Sequence, residues 1–277
     1  MSTNTFPAIQ LLQDKQLQLT ELIERSHANV HINREMNYIF EILRVNYNEM
    51  YAKNSMPQAI TSCDPFSVLN CVEMGLEMGL SFNPMNDFLY LIPRWNKALN
   101  AYECSLMIGY KGYKKLAANA KVFSRIDTQL VRANDYFQFN GTSEKVEHPF
   151  SSFNLEDRGA IVGGYCMAKL KDPGLDGEYI VTMMSQQELQ DVEQQATSNN
   201  KGFSVWNSAF KEQMYLKTII RRGFKDWEYV ITENSQVPNI ENIVANVDKT
   251  QQLEASYNEP QESNAQQVLG EQEVVNA

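Results

Sequence analysis

Apolar side chains recur at helical spacing over residues 8–53, through Leu11, Leu12, Leu19, Leu22 and Ile23, then through Tyr38, Ile39, Ile42 and Leu43. This predicts a helical N-terminal region. Residues 54–58, with Pro57, interrupt it. Asp64 stands before Pro65, a capping carboxylate followed by proline at the first helical position. Val68, Leu69, Val72 and Leu76 carry that helix to about Met78, and Gly79 is placed to end it.

The period then changes. Residues 88–93 and 102–109 are short β-like runs joined by a polar linker, 94–101, which predicts a hairpin. Residues 110–120 return to helical spacing, and 122–131, 160–170 and 178–183 read as strands. The last two are joined across Asp172-Pro173-Gly174, a turn signal. Ser185 with Glu188 three residues on is a capping box opening a helix to about Gln195. Residues 196–202 read as a loop and 205–227 as a helix. Beyond Tyr229 the chain turns to Gln, Asn, Glu and Ser, a composition too poor in large apolar residues to build a core. The expected fold is α+β, a small, mainly antiparallel sheet packed by helices. The expected divisions are a helical region at 1–58 serving self-assembly, a core at 59–229 and an acidic, disordered tail at 230–277.

Charge modifies this picture by its distribution. The net charge is −10, yet residues 228–277 hold nine acids and one base, leaving 23 bases and 25 acids in residues 1–227. Residues 94–132 carry eight bases against Glu103 and Asp127, and residues 205–227 carry five bases against Glu212 and Asp226. Global acidity thus conceals two basic segments.

In the helix 205–227, Lys211, Lys217, Arg221, Arg222 and Lys225 fall within an arc of about 140° at 100° per residue, opposite Ile219, Ile220 and Trp227. An ordinary solvated face interleaves acids with its bases. This arc has only Asp226 at its edge, which favours an anionic ligand. The other segment centres on Ile108-Gly-Tyr-Lys-Gly-Tyr-Lys-Lys, with Lys111, Lys114 and Lys115 in the first turns of a helix. Gly109 and Gly112 would let backbone N–H groups approach an anion at the positive end of the helix dipole. Tyr110 and Tyr113 offer faces for base stacking, with core packing as the plainer reading of both. Arg94, Lys97, Lys121 and Arg125 extend this segment.

Other chemistries find less support. No Gly-x-x-x-x-Gly-Lys-Ser/Thr loop occurs. Asp135, Glu144, Glu147 and His148 bring metal-ligand residue types together, but in no recognised spacing, so a metal-dependent nuclease is the rival reading and a passive single-strand-binding protein the blander one. Cys63, Cys71, Cys104 and Cys166 form no Cys-x-x-Cys pair and read as reduced thiols of a cytoplasmic protein. No apolar run is long enough to span a membrane, and the first residues have no secretory pattern.

Several blocks in order resemble one family. Thr61-Ser-Cys-Asp-Pro-Phe-Ser-Val-Leu, Met78-Gly-Leu-Ser-Phe-Asn-Pro-Met-Asn, Tyr90-Leu-Ile-Pro, Leu106-Met-Ile-Gly-Tyr-Lys-Gly and Met214-Tyr-Leu-Lys-Thr-Ile-Ile-Arg-Arg are similar to blocks of the RecT family of phage single-strand annealing proteins, over roughly residues 60–228. Two positions depart from it: Leu216 stands where a base is frequent, and Phe210 where a second tryptophan is. The resemblance favours Lys111, Lys217, Arg221 and Arg222 as DNA contacts. It implies ATP-independent binding of single-stranded DNA and of the annealed duplex, with no cofactor. It also implies assembly into rings or helical filaments, beside a 5′-to-3′ exonuclease and with host single-strand-binding protein as a further partner. The expectation common to all of this is that the two basic segments converge on one side of the molecule.

Overall fold

The computed structural model describes residues 6–26, 28–149, 152–172, 178–197, 206, 208–234 and 240–258. The chain opens with α1 (Pro7–Asp14), α2 (Gln16–Ser26) and α3 (Ile32–Ala52). Leu12, Leu19, Ile39 and Leu43 of their apolar stripes are fully buried, within the same core as the rest of the chain. Glu35 is sealed at this junction, 2% exposed, and accepts from the Phe82 N–H at 2.7 Å and the Ser81 hydroxyl at 2.9 Å. Those donors replace the water that a buried carboxylate loses.

Helix α4 (Pro65–Glu77) begins as its sequence predicts, the Asp64 carboxylate accepting from the Ser67 N–H at 2.8 Å. Gly79 ends it in the left-handed region at φ +64°. Strands β1 (Leu89–Asn96) and β2 (Ala101–Ile108) pair antiparallel, from Leu89 opposite Ile108 to Asn96 opposite Ala101. The hairpin is longer than its apolar runs predict because polar contacts continue it. Arg94 lies opposite Glu103, and the Asn96 side-chain oxygen accepts from the Ala98 N–H at 2.9 Å to close the turn.

From β2 the chain passes through Gly109 directly into α5 (Tyr110–Asn119), then forms a second antiparallel sheet of β3 (Phe123–Arg132), β4 (Ile161–Leu170) and β5 (Tyr179–Ser185), in that order. The fold is α+β as expected, with its strands in two sheets because α5 intervenes. The β3–β4 connection contains α6 (Leu155–Arg158). Pro173 and Gly174 of the predicted turn, and residues 198–202 of the predicted loop, lie outside the described residues. Helix α7 (Gln186–Thr197) opens with the predicted capping box, the Ser185 N–H donating to Glu188 at 2.9 Å.

Helix α8 (Lys211–Asn234) lies across one face of the three-stranded sheet. Small residues allow the approach: a Cβ added at Gly164 would fall 2.4 Å from Ile219, and one at Gly223 would fall 3.2 Å from Cys166. The helix runs past Trp227, its sequence-predicted end, because Val230 and Ile231 are buried as well. The opposite face of the sheet carries a second, smaller core of Val131, Val146, Tyr165, Met167 and Val181.

The expectation of a disordered tail from residue 230 is corrected. Residues 240–258 form α9 (Ile240–Asn258), whose Ile243, Val244 and Val247 are buried in the main core. Asn246 donates to Glu77 on α4 at 2.7 Å. One apolar stripe at helical spacing suffices once β2 and α4 supply a surface, and composition averaged over the tail conceals it. Residues 259–277 lie outside the described residues.

Candidate nucleic-acid interface

Helix α5 packs against α8, with the ring of Tyr113 at 5.7 Å from that of Phe224. Tyr113 is fully buried, so of its two sequence readings the structure selects core packing. The glycines also serve the fold. A Cβ at Gly109 would lie 2.3 Å from the Asp87 carbonyl oxygen, and one at Gly112 would lie 2.4 Å from that of Phe88. The close approach expected of an anionic ligand is made by the protein's own chain. Asp87 also supplies a carboxylate here, paired with Lys111 at 2.7 Å.

Lys114 extends over the ring of Tyr110, 4.8 Å from its centroid, and Lys115 is exposed. Burial pushes the Cys166 thiol up to about 12, while the Thr128 hydroxyl and the Lys114 ammonium act in the other direction. Cys166 also touches the Gly223 position of α8, so this thiol is sealed where α8 meets the sheet.

The five bases of α8 divide. Lys211 pairs with Glu193 of α7 at 2.7 Å and covers the ring of Tyr215, and Arg222 pairs with Glu188 of α7 at 2.5 Å. The acids missing from the α8 arc therefore come from a neighbouring helix, a compensation that one helix's sequence cannot reveal. Lys217 is 8% exposed, against the expectation of five presented charges. It occupies the edge of the basic arc next to the apolar face, where a lysine stem packs readily. Arg221 is partly exposed and Lys225 exposed.

The remaining candidates do not gather there. Lys121 is exposed just past α5, in the left-handed region at φ 62°. Arg94 and Lys97 lie toward the hairpin tip. At about 3.3 Å per residue, a strand of this length carries its far end roughly 23 Å from the base that adjoins α5. Arg125 points from the face of β3 opposite α8 and pairs with Asp127 at 2.6 Å. Its register partner on β4 is Lys169. Lys171, whose N–H donates to the Val122 carbonyl at 2.9 Å, lies beside Lys121. Sequence reasoning passed over Lys169 and Lys171, because the long β3–β4 connection hides the register that brings them beside the first basic segment.

The acidic cluster has another role. Asp135 has a side chain 1% exposed and accepts from Arg158 at 2.7 Å, the Arg132 N–H at 2.8 Å and His148 at 3.0 Å. The Arg158 hydrogen bond holds its carboxyl well below the usual carboxylate range, against the effect of burial. Arg132, itself buried, reaches Glu212 in the first turn of α8 at 2.5 Å. These groups tie the β3–β4 connection to α8, while Glu144 and Glu147 are exposed.

A sequence profile of the RecT family matches residues 44–257. The chain belongs to the RecT family. The protein RecT of Escherichia coli strain K12 is 29% identical over 174 residues, which cover 60% of this chain and 60% of that protein. The match to the RecT family runs from α3 into α9, so it takes in the hairpin, both basic segments and the helix that sequence composition had assigned to a tail. The resemblance carried by the Gly-Tyr-Lys-Gly and Tyr-Leu-Lys-Thr-Ile-Ile-Arg-Arg blocks is borne out at the level of the family.

Proposed function

We propose that this RecT-family chain binds single-stranded DNA and anneals complementary strands in homologous recombination without ATP. The observation that carries this reading is the packing of α5 on α8, which sets Lys114 and Lys115 beside the helix that carries Arg221 and Lys225 in a protein that is acidic overall. Cations there neutralise phosphates, release counterions and lower the repulsion between two strands. Contacts confined to the backbone leave base edges free, so base pairing supplies specificity. On this reading the chain self-associates, extending the surface along a strand, and works beside a 5′-to-3′ exonuclease and host single-strand-binding protein.

The deciding experiment mixes two complementary labelled oligonucleotides with the purified chain, without nucleotide triphosphate, and follows quenching as they pair. The expected result is faster pairing than without protein, with an affinity for single strands that falls with salt at about −0.7 in log–log slope per phosphate contacted. Binding that does not accelerate pairing would reduce the protein to a passive coat, and binding indifferent to salt would remove the cationic surface.

A further inference from the structure

The face of the three-stranded sheet turned away from α8 carries a cleft of about 560 Å³, within the range of small-molecule sites. Its floor is strand side chains from alternate positions, Gln129 of β3 and Tyr165 and Met167 of β4, and Lys145 and Val146 of the β3–β4 connection form one wall. Arg125, Lys169 and Tyr179 form the rim. The cleft therefore combines apolar and aromatic side chains with three cations, Arg125, Lys145 and Lys169, and two acids, Asp127 and Glu147.

Two features point to a ligand. Arg125 and Lys169 stand directly opposite each other in the ladder, an unfavourable placement for like charges. Asp127, largely buried, and the half-exposed Glu178 answer it at 2.6 and 2.7 Å, and Lys145 adds a third cation to the cleft, helping Lys169 to lower the Glu178 carboxyl. In addition, the Gln129 and Tyr165 side chains line the cleft, Tyr165 only 3% exposed as a residue. A cleft with apolar and aromatic walls, the polar ends of Gln129 and Tyr165 in its lining and three cations beside them fits a planar heterocycle bearing an anionic group.

We infer that this cleft binds one nucleotide, its base against Met167 and Tyr179 within reach of Gln129 and Tyr165, its phosphate between Arg125, Lys145 and Lys169. The inference rests on the nucleic-acid reading above for the strand as the source of that nucleotide. A free mononucleotide presents the same chemistry. Lys121 and Lys171, at the end of the sheet, continue the positive charge from α5 around the edge toward the cleft.

The test uses the full chain and oligodeoxythymidylate substituted with 5-iododeoxyuridine, cross-linked by light and mapped by peptide mass spectrometry, with thymidine 5′-monophosphate as competitor. Adducts are expected at Tyr165 or Tyr179. The double variant Lys145→Ala/Lys169→Ala, folded by circular dichroism, should lose them and bind the oligonucleotide about tenfold more weakly. Saturable binding of the monophosphate that the same variant abolishes, without strand adducts, assigns the cleft to a free nucleotide. Adducts confined to residues 110–121 and 211–225, with wild-type affinity in the variant and no monophosphate binding, overturn the cleft and leave the annealing reading standing. A wild-type chain that binds no oligonucleotide at all removes the annealing reading, while the monophosphate arm still tests the cleft.

Discussion

The rings of Tyr113 on α5 and Phe224 on α8 lie 5.7 Å apart, both buried, and Phe224 in turn packs on Trp227. This aromatic contact joins the two basic segments. Phe224→Ala should cost about 3–5 kcal/mol, because the ring's apolar burial is removed and a cavity is left behind. Denaturant unfolding measures it, and a change under about 1 kcal/mol would mean that α5 is held on α8 by other contacts.

Pairing with α7 makes the basic residues of α8 unequal. Arg222 must leave Glu188 to reach a phosphate, whereas Lys115 is exposed on α5. Lys114→Ala/Lys115→Ala should weaken single-strand binding several-fold and flatten the salt slope by about 0.7 for each phosphate that is no longer neutralised. Arg222→Ala should change affinity less than twofold. Filter binding across a salt series compares them, and the reverse order would move the interface onto the α7 side of α8.

Asp135→Asn removes the negative charge held by the Arg158 guanidinium, the Arg132 backbone N–H and His148, a loss of about 3–5 kcal/mol for a buried pair broken on one side. The acid response carries its own signature. Because the folded carboxyl is held below its unfolded value, its contribution to stability is complete above the unfolded carboxylate pKa, about 4, and drains away as pH falls toward the folded value. Unfolding free energy measured from pH 6 downward should fall more steeply in the wild type than in the variant. Parallel curves would exclude Asp135 as an acid-sensitive group.

Gly112→Ala tests the reassigned role of the Gly-Tyr-Lys-Gly block. The added carbon would meet the Phe88 carbonyl oxygen at 2.4 Å, so α5 must shift away from the base of the hairpin. Thermal melting should drop by several degrees, the scale of a loss of about 1–2 kcal/mol in a chain of this size. Unchanged melting with impaired DNA binding would restore the glycine to a ligand-contacting role.

Val247→Asp addresses α9. An unpaired carboxylate at a fully buried position should cost at least about 3 kcal/mol. A variant that melts like the wild type would show that α9 contributes nothing to the core.

Much of the local structure was legible in the amino-acid order, because its causes are local. Asp64 with Pro65, the Ser185/Glu188 capping box, the apolar stripe of α8 and the strand-like run of β3 depend on neighbours a few residues away. The blocks from Thr61 to Arg222 likewise carried the family, since a family is a property of residue order. Tertiary structure alone decided how charges are shared. The sequence could not show that Glu188 and Glu193 answer Arg222 and Lys211, that Arg125 and Lys169 meet across a ladder on the far side of the sheet, or that β2 and α4 bury the stripe of α9. Coulomb energy and apolar burial both depend on distances through space, and those distances are fixed only once segments remote in the chain have packed.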